Sequence, residues 1–331
     1  MRWKWLLAIP MVLALFYLCG PGPTSPRYVK QLPVVPSDLD SLVNYVRDRE
    51  AVHRLKPDNE ARIVWANDIN PQKTDVAIVY LHGFGASQGE GYPVHRNIAR
   101  DFGCNLYLSR LAEHGLDTVD QLVGMTADNL WNSAEEALAI GQQLGRKVIL
   151  MGTSTGGTMA LMLAAAYPDQ VAGLVLYSPN IAIFDSKAWI LNDPWGLQVA
   201  RWVRHSKYFV NEDTNALYLR YWYKTYRLEA LVQLEELLET SMNEKTFREV
   251  HQPTLALYYY RDAVHQDSVV RVSAIVNMFD ELGTPAELKR KEAMPLAGNH
   301  VICSPIRSGD VAGVEQATSA FLHQVMGLQP R

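Results

Sequence analysis

The 331-residue sequence predicts an α/β fold: a doubly wound, mostly parallel sheet interrupted by an inserted helical cap. Three observations carry that prediction. Short apolar runs alternate with segments of helical periodicity. The runs are apolar at nearly every position, as strands covered on both faces are. Residues 181–250 break the alternation, and a block of roughly 70 residues is too long for a plain crossover.

Composition sets the outer limits. Apolar residues make up 48% and charged residues 20%, which excludes disordered and collagen-like chains. The net charge is −4 and no basic run is present, so nucleic acid is not an expected partner. The three cysteines, Cys19, Cys104 and Cys303, are too few for a disulfide scaffold. At most one bridge, Cys104 to Cys303, could form, and only if the geometry allows it. No His/Cys cluster has metal-ligand spacing, so neither a metal nor a cofactor is expected.

Residues 1–20 read MRWKWLLAIPMVLALFYLCG. Arg2 and Lys4 precede an apolar run from Trp5 to Cys19, short for a spanning helix of about 17–25 residues. A secretory signal is built the same way, yet Phe16-Tyr17-Leu18 leave no A-x-A cleavage site and make a poor lipoprotein site before Cys19. The segment is therefore expected to be an uncleaved membrane anchor. Trp3, Trp5 and Tyr17 would lie at the interfaces, with Arg2 and Lys4 on the cytoplasmic side. The catalytic body would then face the periplasm or the outside. Residues 21–36, PGPTSPRYVKQLPVVP, read as a semi-rigid linker. The core is expected over 37–180 and 251–331.

Within the core, Asp75–Leu81 reads as a strand ending in His82-Gly83, and Asn105–Leu108 as a second. Leu130–Leu144 is helical in pattern, with Trp131, Ala134, Ala137, Leu138 and Gly141 near one face. Lys147–Met151 is a strand that runs into glycines and the helix Met159–Tyr167. Strands follow at Val171–Tyr177 and Pro253–Tyr260, a helix at Val269–Leu282, a strand at Lys289–Met294 and a last helix at Val311–Val325. The 181–250 block is rich in Trp and Tyr, among them Trp189, Trp202, Trp222 and Tyr226. Most should form the core of the cap, and a few should line an apolar pocket beneath it.

The chemistry centres on Gly152-Thr153-Ser154-Thr155-Gly156-Gly157. This is G-x-S-x-G between a strand and a helix, the setting a nucleophile elbow requires. A serine on such a turn has strained backbone angles, so its neighbours must be small, and Gly152 and Gly156 meet that demand. The free N–H groups of the following helix then face developing negative charge.

With GTSTGG, LHGFGAS and AGNHVI in order over residues 76–325, the sequence resembles the α/β-hydrolase fold. Within it the sequence is similar to the lid-bearing serine esterases, monoglyceride-lipase-like enzymes and proline-aminopeptidase-like enzymes. The resemblance implies an oxyanion hole from the N–H groups of Phe84, after His82-Gly83, and Thr155, after Ser154. It implies His300, in Gly298-Asn299-His300, as the base. It places the acid after the strand 253–260. Asp267, which opens Asp-Ser-Val-Val, is favoured there, with Asp262 as the alternative. His82 and Glu113-His114-Gly115 read as structural elements of the neighbouring loops.

The function expected is a serine hydrolase acting on an apolar or lipid-like ester through a Ser-His-Asp triad and an acyl-enzyme. The same triad would serve an acyltransferase, a thioesterase or an aminopeptidase, and a catalytically silent binding protein is the alternative of another class. An aminopeptidase needs a carboxylate for the substrate's amino terminus. Glu229, Glu235, Glu236 and Glu239 could supply one, although they read as a solvated helix face. The oligomeric state is left open.

Overall fold

The computed structural model describes residues 3–331, with side chains from residue 10 onward. The main sheet comprises β1 (Arg62–Val64), β2 (Thr74–Leu81), β3 (Asn105–Leu108), β4 (Gly145–Thr153) and β5 (Gly173–Tyr177). A hairpin of β6 (Tyr208–Val210) and β7 (Thr225–Arg227) stands apart, and β8 (Thr254–Tyr258) and β9 (Lys289–Ala293) complete the sheet. The order is β1-β3-β2-β4-β5-β8-β9, with β1 antiparallel to β3 and the other pairs parallel. Strand β3 is added on one side of β2, and β4, β5, β8 and β9 follow on the other, so the order of addition switches sides between β2 and β4. The loops leaving those strands therefore diverge and open a crevice at their carboxyl ends.

The helices are α1 (Trp3–Leu18), α2 (Leu39–Ala51), α3 (Val94–Asp101), α4 (Ala127–Leu144), α5 (Thr155–Ala166), α6 (Gly196–Arg204), α7 (Ala216–Tyr221), α8 (Leu228–Ser241), α9 (Glu244–Arg248), α10 (Val272–Glu281) and α11 (Val311–Gln324). Side-chain alternation divides them between two faces. Ala77, Val79 and Leu81 of β2 join the core with α4, α5 and α10. Ile78 and Tyr80 join α3 and α11 on the other side. Burial of both faces explains why these strands read as unbroken apolar runs. Cys104 and Cys303 are both buried in the second cluster and unbridged.

Helix α4 starts three residues earlier than its apolar periodicity indicates. Thr126 and Asn129 form a capping box, with Thr126 Oγ1 accepting from Asn129 N at 3.1 Å and Asn129 Oδ1 from Thr126 N at 2.9 Å. Residues 21–36 do not stand free as a spacer. Asp128 Oδ1 accepts the N–H groups of Arg27 and Tyr28, at 2.8 and 2.9 Å, and Glu135 accepts that of Gln31. Trp131 Nε1 donates to Val29 O at 2.9 Å. An extended backbone leaves its N–H groups unpaired, and the carboxylates of α4 meet them.

The segment between β5 and β8 contains α6 to α9, but it is not wholly helical. Tyr208–Val210 and Thr225–Arg227 pair because aromatic and β-branched residues favour extended backbone, and Phe209 stacks on Tyr226 at 5.0 Å. The glutamates of α8 depart from expectation as well. Glu235 and Glu236 are buried rather than solvated, and burial together with Glu239 pushes the Glu235 carboxyl up to about 7. The segment is stitched to the core at one end of α7. Lys56 Nζ donates to Leu219 O and Trp222 O, both at 2.8 Å, and Asn59 Nδ2 to Arg220 O at 3.0 Å. These are the carbonyls that a helix end leaves without partners.

Among the described residues no helix is long and apolar enough to cross a membrane. The places expected for Arg2, Trp3, Lys4 and Trp5 lie outside the side chains described. Tyr17, expected at an interface, donates to Asp193 at 2.8 Å, and Phe16 stacks on Trp195 at 4.8 Å.

Candidate active site

Ser154 sits between β4 and α5 with φ 52° and ψ −118°, a strained conformation for a residue with a Cβ. Backbone bonds hold it there, among them three short ones. Ser154 N donates to Tyr177 O at 2.9 Å, and Ser154 O accepts from Gly157 N at 2.8 Å and Asn180 N at 3.0 Å. The glycines are required by space. A Cβ on Gly156 would come within 1.9 Å of Leu81 O, and one on Gly152 within 2.4 Å of Gly156 O. The tight strand–helix approach that thrusts Ser154 forward therefore depends on both.

His300 lies in the loop after β9 and is 8% exposed. Its Nδ1 is 2.6 Å from Asp267 Oδ2. Asp267 is fully buried, and its Oδ1 accepts from Val269 N at 2.8 Å and Val270 N at 3.0 Å. Burial alone would lower the His300 pKa, but the Asp267 carboxylate, assisted by Glu90, raises it above the ordinary imidazole value. Asp262 is placed elsewhere. It is exposed and accepts, within its own turn, from His265 N at 2.8 Å, lies 2.9 Å from His265 Nδ1, and accepts from Val264 N at 2.9 Å, which together pull its carboxyl down to about 2.

Ser154 and His300 line one cavity of about 410 Å³. Ser154 Oγ makes no hydrogen bond among the described residues. Apolar walls come from Phe84, Ile183, Phe209, Trp222, Tyr226, Leu231 and Leu234, with Glu90, Asn180, Asn211, Asn299 and Arg307 as polar points. None of Glu229, Glu235, Glu236 or Glu239 lines it. Glu229 is occupied by Arg201 and Arg227.

The loop after β2 is held by two buried histidines. His82 Nδ1 bonds Gly83 O at 2.9 Å, and its Nε2 accepts from Leu111 N at 3.0 Å. His114 Nε2 accepts from Gly85 N at 2.9 Å, and its Nδ1 bonds Ala112 O at 2.8 Å. Burial drives His82 well below the ordinary value and His114 down to about 4, so both are neutral, each with one donor and one acceptor in use. The N–H groups of Phe84 and Thr155 find no acceptor among the described residues. Two unspent donors beside a strained serine in an apolar cavity suit the stabilisation of an oxyanion.

Sequence reasoning did not find Glu90. It lines the same cavity, 2% exposed, and burial pushes its carboxyl up to about 7. The one signal was an acidic residue in the glycine-rich run Ser87–Gly91, just after the HGFG stretch.

A strand-borne elbow serine that lines one cavity with the histidine of a buried His–Asp pair, on a mostly parallel sheet, points to a class of hydrolytic fold. The chain belongs to the alpha/beta hydrolase fold family, whose sequence profile matches residues 65–271. Over 56 residues it is 43% identical to Lipase LipV of Mycobacterium tuberculosis, a stretch that is 17% of this chain and 22% of that lipase. The likeness thus covers about a fifth of that relative's length. Among solved structures it is similar to the metagenome-derived lipolytic enzymes LipS and LipT, with a TM-score of 0.66, 16% identity and coverage of 82% and 100% of the two chains. It is also similar to the monoacylglycerol lipase of Paleococcus ferrophilus, with a TM-score of 0.55, 16% identity and coverage of 80% and 98%. Est1E of Butyrivibrio proteoclasticus, solved with ferulic acid, has a TM-score of 0.54 at 15% identity, with coverage of 81% and 95%. At these identities the likeness concerns the fold.

Proposed function

We propose that the protein is a serine hydrolase of carboxylic esters. Ser154 attacks the acyl carbonyl. His300 takes the serine proton and returns it to the leaving group, and Asp267 holds the imidazole through Nδ1. The Phe84 and Thr155 amides receive the oxyanion, and water releases the acyl-enzyme. The observation that carries this reading is the 2.6 Å bond between His300 and the fully buried Asp267, at the cavity that Ser154 lines. Asp262 is set aside as the acid because its carboxylate is committed to His265.

The apolar walls favour an acyl group of hydrocarbon character over a charged one. The names of the relatives point the same way: two are lipases, and Est1E was solved with ferulic acid, an aromatic acid, bound. An aminopeptidase is disfavoured, since no cap glutamate of α8 reaches the cavity.

We read α1 as a membrane-associating segment. Met11, Val12, Leu13, Leu15, Phe16 and Leu18 are all exposed. Its 16 residues extend about 24 Å, short of the roughly 30 Å hydrocarbon core, which favours partial insertion over a full crossing. Membrane fractionation and protease accessibility of the full chain test that placement, and a protein recovered wholly in the soluble fraction contradicts it.

The enzymatic reading is tested by labelling with a fluorophosphonate probe and by a panel of p-nitrophenyl esters from short to long acyl chains. Labelling and turnover should both disappear in Ser154→Ala. A folded wild-type protein that neither labels nor turns over any ester defeats the proposal.

A further inference from the structure

Glu90 lies in the short 3-10 turn Gln88–Gly91, in the cavity of Ser154 and His300, and the scheme above gives it no part. Its Oε2 accepts the Gly83 N–H at 2.6 Å. The Gly83 carbonyl accepts from His82 Nδ1 at 2.9 Å and from Ala86 N at 3.2 Å. Gly83 is therefore held on both sides. In a trans peptide the C=O and the next N–H point in opposite directions, so holding Gly83 O also aims the Phe84 N–H. The parts are in close contact: a Cβ on Gly83 would lie 2.8 Å from Glu90 Oε1 and 3.1 Å from Ser154 Cβ.

Resting on the hydrolase reading, we propose that Glu90 is a positioning residue of the site, whose carboxyl pins Gly83 and thereby fixes the Phe84 donor against the developing oxyanion. A carboxyl also brings a charge that a neutral side chain would not. Burial disfavours that charge, while the Gly83 N–H, His300 and the Trp222 indole favour it. The Glu90 charge in turn adds to that of Asp267 in raising His300. The other groups facing Glu90 are Tyr80, Tyr218 and Cys303, all kept protonated by burial. Arg307, in an ion pair with Asp213, is the remaining charged lining residue. His300 is thus the one neighbour that changes charge together with Glu90 near neutrality.

The test is the pH dependence of kcat and KM for p-nitrophenyl butyrate, measured on full-length wild type, Glu90→Leu and Glu90→Gln. Glu90→Leu should lose roughly 10- to 100-fold in kcat, with KM changed by no more than about threefold, since a donor displaced by about an ångström costs rate rather than binding. Glu90→Gln keeps an acceptor for Gly83 N–H and should recover most of that loss. Its acid limb in kcat/KM should move to lower pH, because a charge that raises His300 is gone. A merely structural Glu90 would not move that limb. Wild-type kcat in Glu90→Leu, or an unmoved limb in Glu90→Gln, overturns the proposal. If Glu90→Leu does not fold, the Glu90→Gln profile decides alone. An inactive wild type defeats the hydrolase reading itself, whereas an active wild type with indifferent Glu90 variants defeats only this inference.

Discussion

His300 Nδ1 meets Asp267 Oδ2 at 2.6 Å across 33 positions of chain, while Asp262, five residues before Asp267, keeps a histidine of its own in His265. The two pairs share composition and differ in burial. Asp267 is sealed from water and Asp262 is exposed.

That contrast gives the first prediction. Asp267→Asn should lower kcat by about 10⁴, the cost of the wrong imidazole tautomer at a serine centre. Asp262→Asn should change it by less than about threefold, because an exposed ion pair is worth little. Steady-state kinetics on both variants settles the assignment, and the reverse ranking overturns it.

The second prediction concerns pH. In the proposed scheme His300 must be neutral to accept the serine proton, and its pKa is raised by Asp267 and Glu90. The acid limb of kcat/KM should therefore have its midpoint above the ordinary imidazole value of about 6.5. A midpoint below that value contradicts the arrangement.

Stability should respond to pH through histidines shifted the other way. Burial lowers His95 to about 3 and His114 to about 4, so the folded protein holds both neutral while the unfolded chain protonates them below about 6.5. At these two histidines the unfolded state then binds more protons, so they contribute stability that falls as pH drops from about 6.5 towards 4, partly offset by Glu90 and Glu235, whose carboxyls burial raises to about 7. Thermal melts across that range check the slope. His95→Gln, which does not titrate there, should flatten it.

Two glycines should separate folding from chemistry. Gly156→Ala sets a methyl against the Leu81 carbonyl and should cost about 3 kcal/mol or more in urea unfolding. Gly83→Ala meets the movable Glu90 carboxyl at 2.8 Å, so the fold should survive while kcat falls. Equal stability loss in both would contradict the local account.

Trp131 gives a packing prediction. Its ring is 1% exposed and stacks on Tyr167 at 6.2 Å, and its Nε1 holds Val29. Trp131→Phe keeps most of the packing and deletes the bond. Limited proteolysis within residues 21–36 should accelerate, with the global melting temperature little changed.

Much of this molecule was legible in its sequence, and the exceptions have physical causes. Strands buried on both faces announce themselves as apolar runs, so the main sheet was readable from Asp75 to Tyr258, whereas β9, Lys-Arg-Lys-Glu-Ala, is only partly buried and carries no such run. Strand β1 was not readable, since Arg62-Ile63-Val64 is three residues long and only partly buried. Ser154 was readable because its turn tolerates only glycine nearby. The choice between Asp267 and Asp262 was not, because both follow the same strand and only tertiary burial separates them. Glu90 escaped notice, and the buried Glu235 and Glu236 read as solvated, for a related reason: a charged residue inside a protein looks, in sequence, like one outside.

The cap and the donor loop share a bond. Tyr223 N donates to Gly85 O at 2.9 Å, one residue beyond Phe84, and Lys56 ties the adjacent carbonyls of Leu219 and Trp222 to the core. Gly85 O thus has its partner in the inserted segment, one residue beyond the donor that the proposed scheme assigns to Phe84. In that scheme the segment over the cavity is part of the scaffold that holds the donor loop, and not only its cover.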